Sequence, residues 1–330
     1  MYNNVLINTN NLPITILLIA VGCLVLITLL CFIFTYVMFR KTFTRTEKIA
    51  TDYNPIYAPY KELMKQGANY FLGLNPEEVS IQSHDNLKLC GYFYETPNAR
   101  GTVLFMHGYH GDPLNDFGPV LKHFIDIGFS VLLVFQRAHG KSGGHTITFG
   151  ILEQYDCQDW VRYAAQRFGE DTPVVLYGVS MGAATVLTAC ALDLGKNVRG
   201  IVADCPYSTP CDIIRKTCRE MHLPVKICFP FVRLAARLFG GFRLSDDGPH
   251  PLSSVSRTHL PILLIHGEAD DFVPCDMSRR IAAVNPTVRL ETFPGGVHAG
   301  SYLIDPQRYC RVIGEFVSDC GVDIGKQELT

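Results

Sequence analysis

The sequence lacks the cysteine patterns that hold metals or redox centres. Its twelve cysteines are scattered, none forms Cys-x-x-Cys, and none stands with histidines at zinc-finger spacing. It also lacks an excess of one charge: the net charge is −2 with no long run of either sign, which argues against a nucleic-acid-binding surface. Most conspicuously, no charged side chain occurs from Met1 to Phe39. What is present is a chain of 330 residues, 48% hydrophobic, able to bury a substantial core. Several cysteines sit in apolar runs, where the free thiol behaves as a small hydrophobe, and the pattern reads as reduced thiols in a reducing compartment.

Ile14 to Phe39 is nearly continuous Leu, Ile, Val, Phe and Ala. That exceeds the roughly 20 residues needed to span a bilayer. Arg40, Lys41, Arg45 and Lys48 follow at once, and nothing basic precedes. The pattern predicts a single-pass anchor over residues 1–40, with the C-terminal side in the cytoplasm. A cleaved signal peptide would want a basic start, a shorter apolar core and a small-residue cleavage site, none of which is evident. Residues 41–75 read as a juxtamembrane connector, irregular at Pro55–Pro59 and then helical from Tyr60 to Phe71.

Two strands, Glu78–Ser83 and Lys88–Tyr94, flank the turn His84-Asp85-Asn86 and predict an antiparallel hairpin. A βα rhythm then begins. Strands are expected at Gly101–Met106, Phe129–Phe135, Val174–Val179, Val198–Ala203, Pro261–His266 and Val288–Phe293. Helices are expected at Phe117–Ile127, Glu153–Phe168, Ala183–Leu194, Asp276–Val284 and Pro306–Cys320. Near-continuous apolar strands alternating with helices predict one mostly parallel sheet covered on both faces, from residue 76 to the end. Residues 206–257 interrupt the alternation with two helical stretches, Cys211–Met221 and Val225–Phe239. An insertion there would cap the C-terminal strand ends, where ligands bind, so it reads as a lid. Its apolar face could equally rest on a bilayer or form an immobile cover.

The centre of the pattern is Val174-Val175-Leu176-Tyr177-Gly178-Val179-Ser180-Met181-Gly182. A buried strand turning into a helix at a Gly-x-Ser-x-Gly sequence holds a serine hydroxyl clear of the sheet. A serine needs an adjacent base, and the base an orienting acid. His298, in a glycine-rich loop after the last strand, is the chosen base. His266, His107 and His139 also lie at strand ends, but each starts a glycine turn and is better explained as shaping it. Asp270, after the penultimate strand, is the chosen acid, with Asp271 the near rival and Asp204 the distant one. Backbone N–H groups of Met181 and Tyr109 would hold a developing oxyanion. No metal or organic cofactor is implied.

With these residues in place, the chain resembles the α/β-hydrolase superfamily. The order Ser180, Asp270, His298 is the order used by that fold. His107-Gly108-Tyr109-His110-Gly111 is similar to its oxyanion loop, and His266-Gly267-x-x-Asp270-x-x-Val273-Pro274 to its acid loop. The resemblance covers roughly Glu78 to Cys320 and looks closest to membrane-anchored bacterial hydrolases of the serine aminopeptidase-like, monoglyceride lipase-like group. Arg137-Ala138-His139-Gly140-Lys141-Ser142 is similar to that group's Arg-Gly-His-Gly-x-Ser, with two departures. Ala138 replaces glycine, and Phe135 replaces an aspartate that is structural in the group. The resemblance implies an α/β-hydrolase fold and hydrolysis of a carboxylic ester or thioester, possible lipid-like substrates included, through an acyl-enzyme on Ser180. Aminopeptidase-like amide hydrolysis and acyl transfer stand as alternatives within the enzyme class. A non-catalytic ligand-binding module and a membrane scaffold stand outside it.

Overall fold

The computed structural model describes residues 12–47 and 55–324. An eight-stranded sheet in the order β1-β2-β4-β3-β5-β6-β7-β8 organises the chain. The strands are β1 (Glu77–Gln82), β2 (Lys88–Tyr94), β3 (Gly101–Met106), β4 (Phe129–Val134), β5 (Val174–Val179), β6 (Val198–Asp204), β7 (Ile262–Gly267) and β8 (Val288–Phe293). β2 pairs antiparallel with β1 and with β4, and every other pairing is parallel. β3, β4, β5 and β7 are buried along their whole length, as their unbroken apolar sequences require of strands covered on both faces. Side chains alternate between two cores: Val103, Phe105, Val175 and Tyr177 face one, and Leu104, Met106, Val174 and Leu176 the other.

The helices are α1 (Leu12–Thr42), α2 (Lys61–Gly73), α3 (Pro113–Asp126), α4 (Glu153–Phe168), α5 (Met181–Ala189), α6 (Pro210–Glu220), α7 (Val225–Leu238), α8 (Pro251–Val255), α9 (Asp276–Ala283), α10 (Ser301–Ile304) and α11 (Pro306–Asp319). Two expected boundaries are corrected. α3 begins at Pro113 rather than Phe117, because Asp112 caps it by accepting from Leu114 N and Asn115 N. α5 ends at Ala189 rather than running to Leu194. Beyond it Leu194 is buried and Leu192 packs against the same core, while Gly195 N donates to Asp193 Oδ1 in a local turn. The apolar run continues because the core continues, not because the helix does.

α1 is long and apolar enough to cross a membrane. Its residues 14–33 are exposed, whereas Thr35, Met38, Phe39 and then Phe43 are buried against the rest of the protein. Of the basic residues after it, Arg40 and Lys41 are exposed, while Arg45 donates to Ser142 O at 2.8 Å and to Gly140 O. Lys48 lies outside the described residues. α2 packs on α3 through Met64, Ala68 and Phe71. α6 and α7 form the helical insertion between β6 and β7. All twelve cysteines are unpaired.

A tight turn closes β5. A Cβ on Gly182 would stand 1.8 Å from Met106 O, and one on Gly178 2.3 Å from Gly182 C. Both obstacles are backbone, so neither can swing aside. Gly182→Ala should therefore destabilise the fold by more than about 4 kcal/mol, read by chemical denaturation or loss of soluble protein. A variant melting with the wild type would contradict this close approach.

Candidate active site

Five loops at the C-terminal ends of β3, β5, β6, β7 and β8 converge on one place. Ser180, between β5 and α5, has φ 52° and ψ −113°. This left-handed backbone costs a non-glycine residue of order 1–3 kcal/mol and persists where the surroundings dictate it. Here those surroundings are the Gly178 and Gly182 contacts on either side. Ser180 Oγ lies 2.9 Å from His298 Nε2, and His298 Nδ1 lies 2.7 Å from Asp270 Oδ2. With Nδ1–H donating to the carboxylate, Nε2 is left as the acceptor of the serine hydroxyl.

Asp270 is fastened as well as placed. Its Oδ1 accepts from Phe272 N at 2.9 Å and Val273 N at 2.8 Å. Burial by itself would raise its pKa, but hydrogen bonds from His266 and His298 outweigh burial and hold the carboxyl well below the ordinary aspartate range. Of its rivals, Asp271 has an exposed side chain. Asp204 is buried but accepts from Tyr309 Oη at 2.7 Å, and burial raises its carboxyl to about 6.

The three histidines read as loop-shaping have such partners. His107 Nε2 accepts from Gln136 N at 3.0 Å, and burial pushes its pKa down to about 4. His139 Nε2 accepts from His110 N at 3.1 Å. His266 lies 2.7 Å from both Ser278 Oγ and Val273 O. Of the two sequence departures, Ala138 has φ 60°, which explains why glycine is usual there. Arg137, near Phe135, is buried and bonds Asp156 at 2.6 Å through both Nε and Nη2, with Asp85 beyond.

Met181 N heads α5, in the first turn of which N–H groups have no intrahelical acceptor. Tyr109 follows Gly108 on the loop after β3. Its side chain lines the cavity, and its hydroxyl donates to Thr42 O at 3.0 Å. Cys205 lies near His298 and Asp270, with ligand atoms within 4.8 Å of one another. Burial pushes its thiol well above the usual range, away from the thiolate that binds metals.

A cavity of about 500 Å³ opens over Ser180 and His298. Its walls are mostly apolar and include Tyr109, Phe149, Ile213, Ile214, Val232 and Phe272. Two contributions were not legible beforehand. Met38, Lys41 and Thr42, from the end of α1, form part of the wall. Asp116 also lines it, accepting from Gly108 N at 2.8 Å. In the sequence Asp116 lies just ahead of the expected helix Phe117–Ile127, with nothing to mark it.

Burial, aided by the neighbouring Asp112 charge and opposed by the Gly108 hydrogen bond, raises Asp116 to about 7. The folded state thus holds this proton more tightly than the unfolded chain. Its stabilising effect is full below about 4 and is lost as pH rises through about 7. Asp116→Asn keeps an oxygen for Gly108 N but removes the titration. Between pH 5 and 8 its melting temperature should fall less than that of the wild type, and equal slopes would contradict the assignment.

The family described as serine aminopeptidase, S33, matches residues 97–247. The chain is 28% identical over 228 residues to the Bacillus subtilis (strain 168) "Uncharacterized protein YqkD", covering 68% of this chain and 73% of that protein. It is 22% identical over 272 residues to the Arabidopsis thaliana "Alpha/beta hydrolase domain-containing protein WAV2", covering 78% of this chain and 83% of that one. Among solved structures, the Pyrococcus furiosus esterase Pf2001 superposes with a TM-score of 0.61 at 25% identity, covering 75% of this chain and 93% of that one. The sheet order, the strand–serine–helix turn and these likenesses together show that the chain has the α/β-hydrolase fold.

Proposed function

We propose that this protein is a membrane-anchored serine hydrolase that cleaves a carboxylic ester or thioester through an acyl-enzyme on Ser180, with its catalytic domain on the cytoplasmic side. The observation that carries the reading is the continuous Ser180–His298–Asp270 hydrogen-bond chain at the floor of an apolar cavity. Ser180 Oγ attacks the carbonyl carbon while His298 Nε2 takes its proton. The oxyanion is held by the N–H groups of Tyr109 and Met181. The intermediate collapses, the bond to the leaving oxygen or sulfur breaks, and His298 returns the proton to that group. Water, deprotonated by His298, then attacks the acyl-enzyme and releases the acid. Asp270 keeps His298 in the tautomer this cycle needs. The insertion over residues 206–257 serves as the lid, and the apolar α1 as the anchor. The likeness to an esterase supports the ester, and the apolar walls favour a lipid-like acyl group.

A fluorophosphonate probe tests the nucleophile: the wild type should label and Ser180→Ala should not. Equal labelling would remove Ser180 from the role. One observation favours a second reading, amide cleavage beside a free amine, because Asp116 places a carboxyl group on the cavity wall as a partner for a cationic group. Comparing aminoacyl p-nitroanilides with p-nitrophenyl esters separates the two.

A further inference from the structure

We propose that the end of α1 is a working wall of the substrate pocket, and that the substrate is a lipid ester whose acyl chain passes from the bilayer surface into the pocket alongside Met38. This rests on the anchored-hydrolase reading above. The exposed stretch 14–33 of α1 is about 30 Å long at 1.5 Å per residue, the thickness of a bilayer's hydrocarbon core. Burial against the protein starts immediately afterwards, at Phe34 and Thr35. No slack separates the membrane from the hydrolase domain. Phe34 meets Phe231 of α7 at 5.2 Å, and Phe32 and Phe39 meet Phe239 at 5.5 and 5.6 Å. Backbone hydrogen bonds then lock the chain that follows: Ile147 N donates to Phe43 O at 2.7 Å and Arg45 N to His145 O at 3.0 Å.

α7 is therefore held beside the segment of α1 that leaves the hydrocarbon. It presents Ile227 at 62%, Leu234 at 43% and Leu238 at 56% exposure, large apolar side chains that a bilayer surface would cover. Lys226 and Arg237 are exposed on the same helix, and neither forms an ion pair among the described residues. Cations beside apolar side chains suit an interfacial helix over anionic headgroups. Continuity with the membrane-spanning stretch selects the bilayer as the occupant of this face. Met38, five residues after the last exposed position of that stretch, already lines the pocket over Ser180. The same end of α1 reaches the oxyanion loop, since Thr42 O accepts the Tyr109 hydroxyl and His110 Nε2 lies 3.3 Å from Thr44 O. The anchor thus bounds the acyl site in addition to tethering it.

The test uses the full chain in phosphatidylcholine–phosphatidylglycerol bilayers with a series of p-nitrophenyl esters from butyrate to palmitate. Met38→Trp should lower the ratio of long-chain to short-chain kcat/KM about tenfold, and Met38→Ala should hold or raise it. Leu238→Glu should lower the palmitate-to-butyrate ratio about tenfold in bilayers and much less in detergent micelles. If all three variants keep the wild-type ratios while still labelling with fluorophosphonate, the proposal is overturned and the hydrolase reading stands. If the wild type labels at Ser180 but turns over no ester, the function reading fails and the proposal with it. Extraction of the wild type by alkaline carbonate would overturn the anchor on which both depend.

Discussion

Ser180→Ala should lower kcat/KM for p-nitrophenyl butyrate by about 10⁶-fold, the scale on which serine hydrolases lose turnover when the nucleophile is removed. The loss is chemical. His298 stays in place, because Asp270 bonds its Nδ1 and Phe272 packs on its ring at 5.0 Å. Stability should hardly change, since alanine keeps the Cβ and therefore the φ of 52°. Ser180→Gly separates the two effects. It should lose the same activity yet gain about 1–3 kcal/mol of stability by relieving that backbone strain. A Ser180→Ala protein that melts with the wild type and still hydrolyses the ester at a tenth of its rate would dismiss the nucleophile assignment.

Asp270→Asn should lower kcat by about 10⁴-fold, with a smaller change in KM. An asparagine oxygen can still accept from Phe272 N and Val273 N, so the loop has reason to keep its shape. The amide NH₂ then faces His298 Nδ1 and selects the tautomer protonated at Nε2, which cannot take the serine proton. Asp271→Asn is the control. Its side chain is exposed, and its activity should stay within about twofold of wild type, as expected of a surface change. If instead Asp271→Asn is the crippled variant, the acid has been misassigned. Stability also distinguishes the two positions. Asp270 has a carboxyl depressed on folding, so it stabilises above its unfolded pKa near 4, and that contribution is lost as pH falls toward its folded value. Asp270→Asn should therefore flatten the acid limb of the stability profile, whereas Asp271→Asn should not.

Much of this was readable along the chain because it depends on local chemistry. Unbroken apolar strands call for cover on two faces, and the Gly-x-Ser-x-Gly turn accepts only small residues at its flanks. The helix after Ser180 shows where local reading ends: Leu192 and Leu194 continued the apolar pattern, yet they serve the core from an irregular segment. Periodicity reports burial, and burial does not specify backbone. Asp116 shows the same limit for charge. Its position in a first helical turn is ordinary, and only the tertiary packing around it raises its carboxyl to about 7.

The sequence by itself determined the sheet, the order in which Ser180, Asp270 and His298 enter it, and the apolar length of α1. Each is a property of residue type and spacing along the chain. Only the tertiary structure decided that Asp270, and not Asp271, turns inward to His298, and where α1 stops being exposed. It also decided that Met38 and Thr42 meet α7 and the Tyr109 loop across more than sixty residues of intervening chain. Contacts between distant segments follow from how whole elements pack, and no local pattern encodes which exposed end of a helix will become the wall of a pocket.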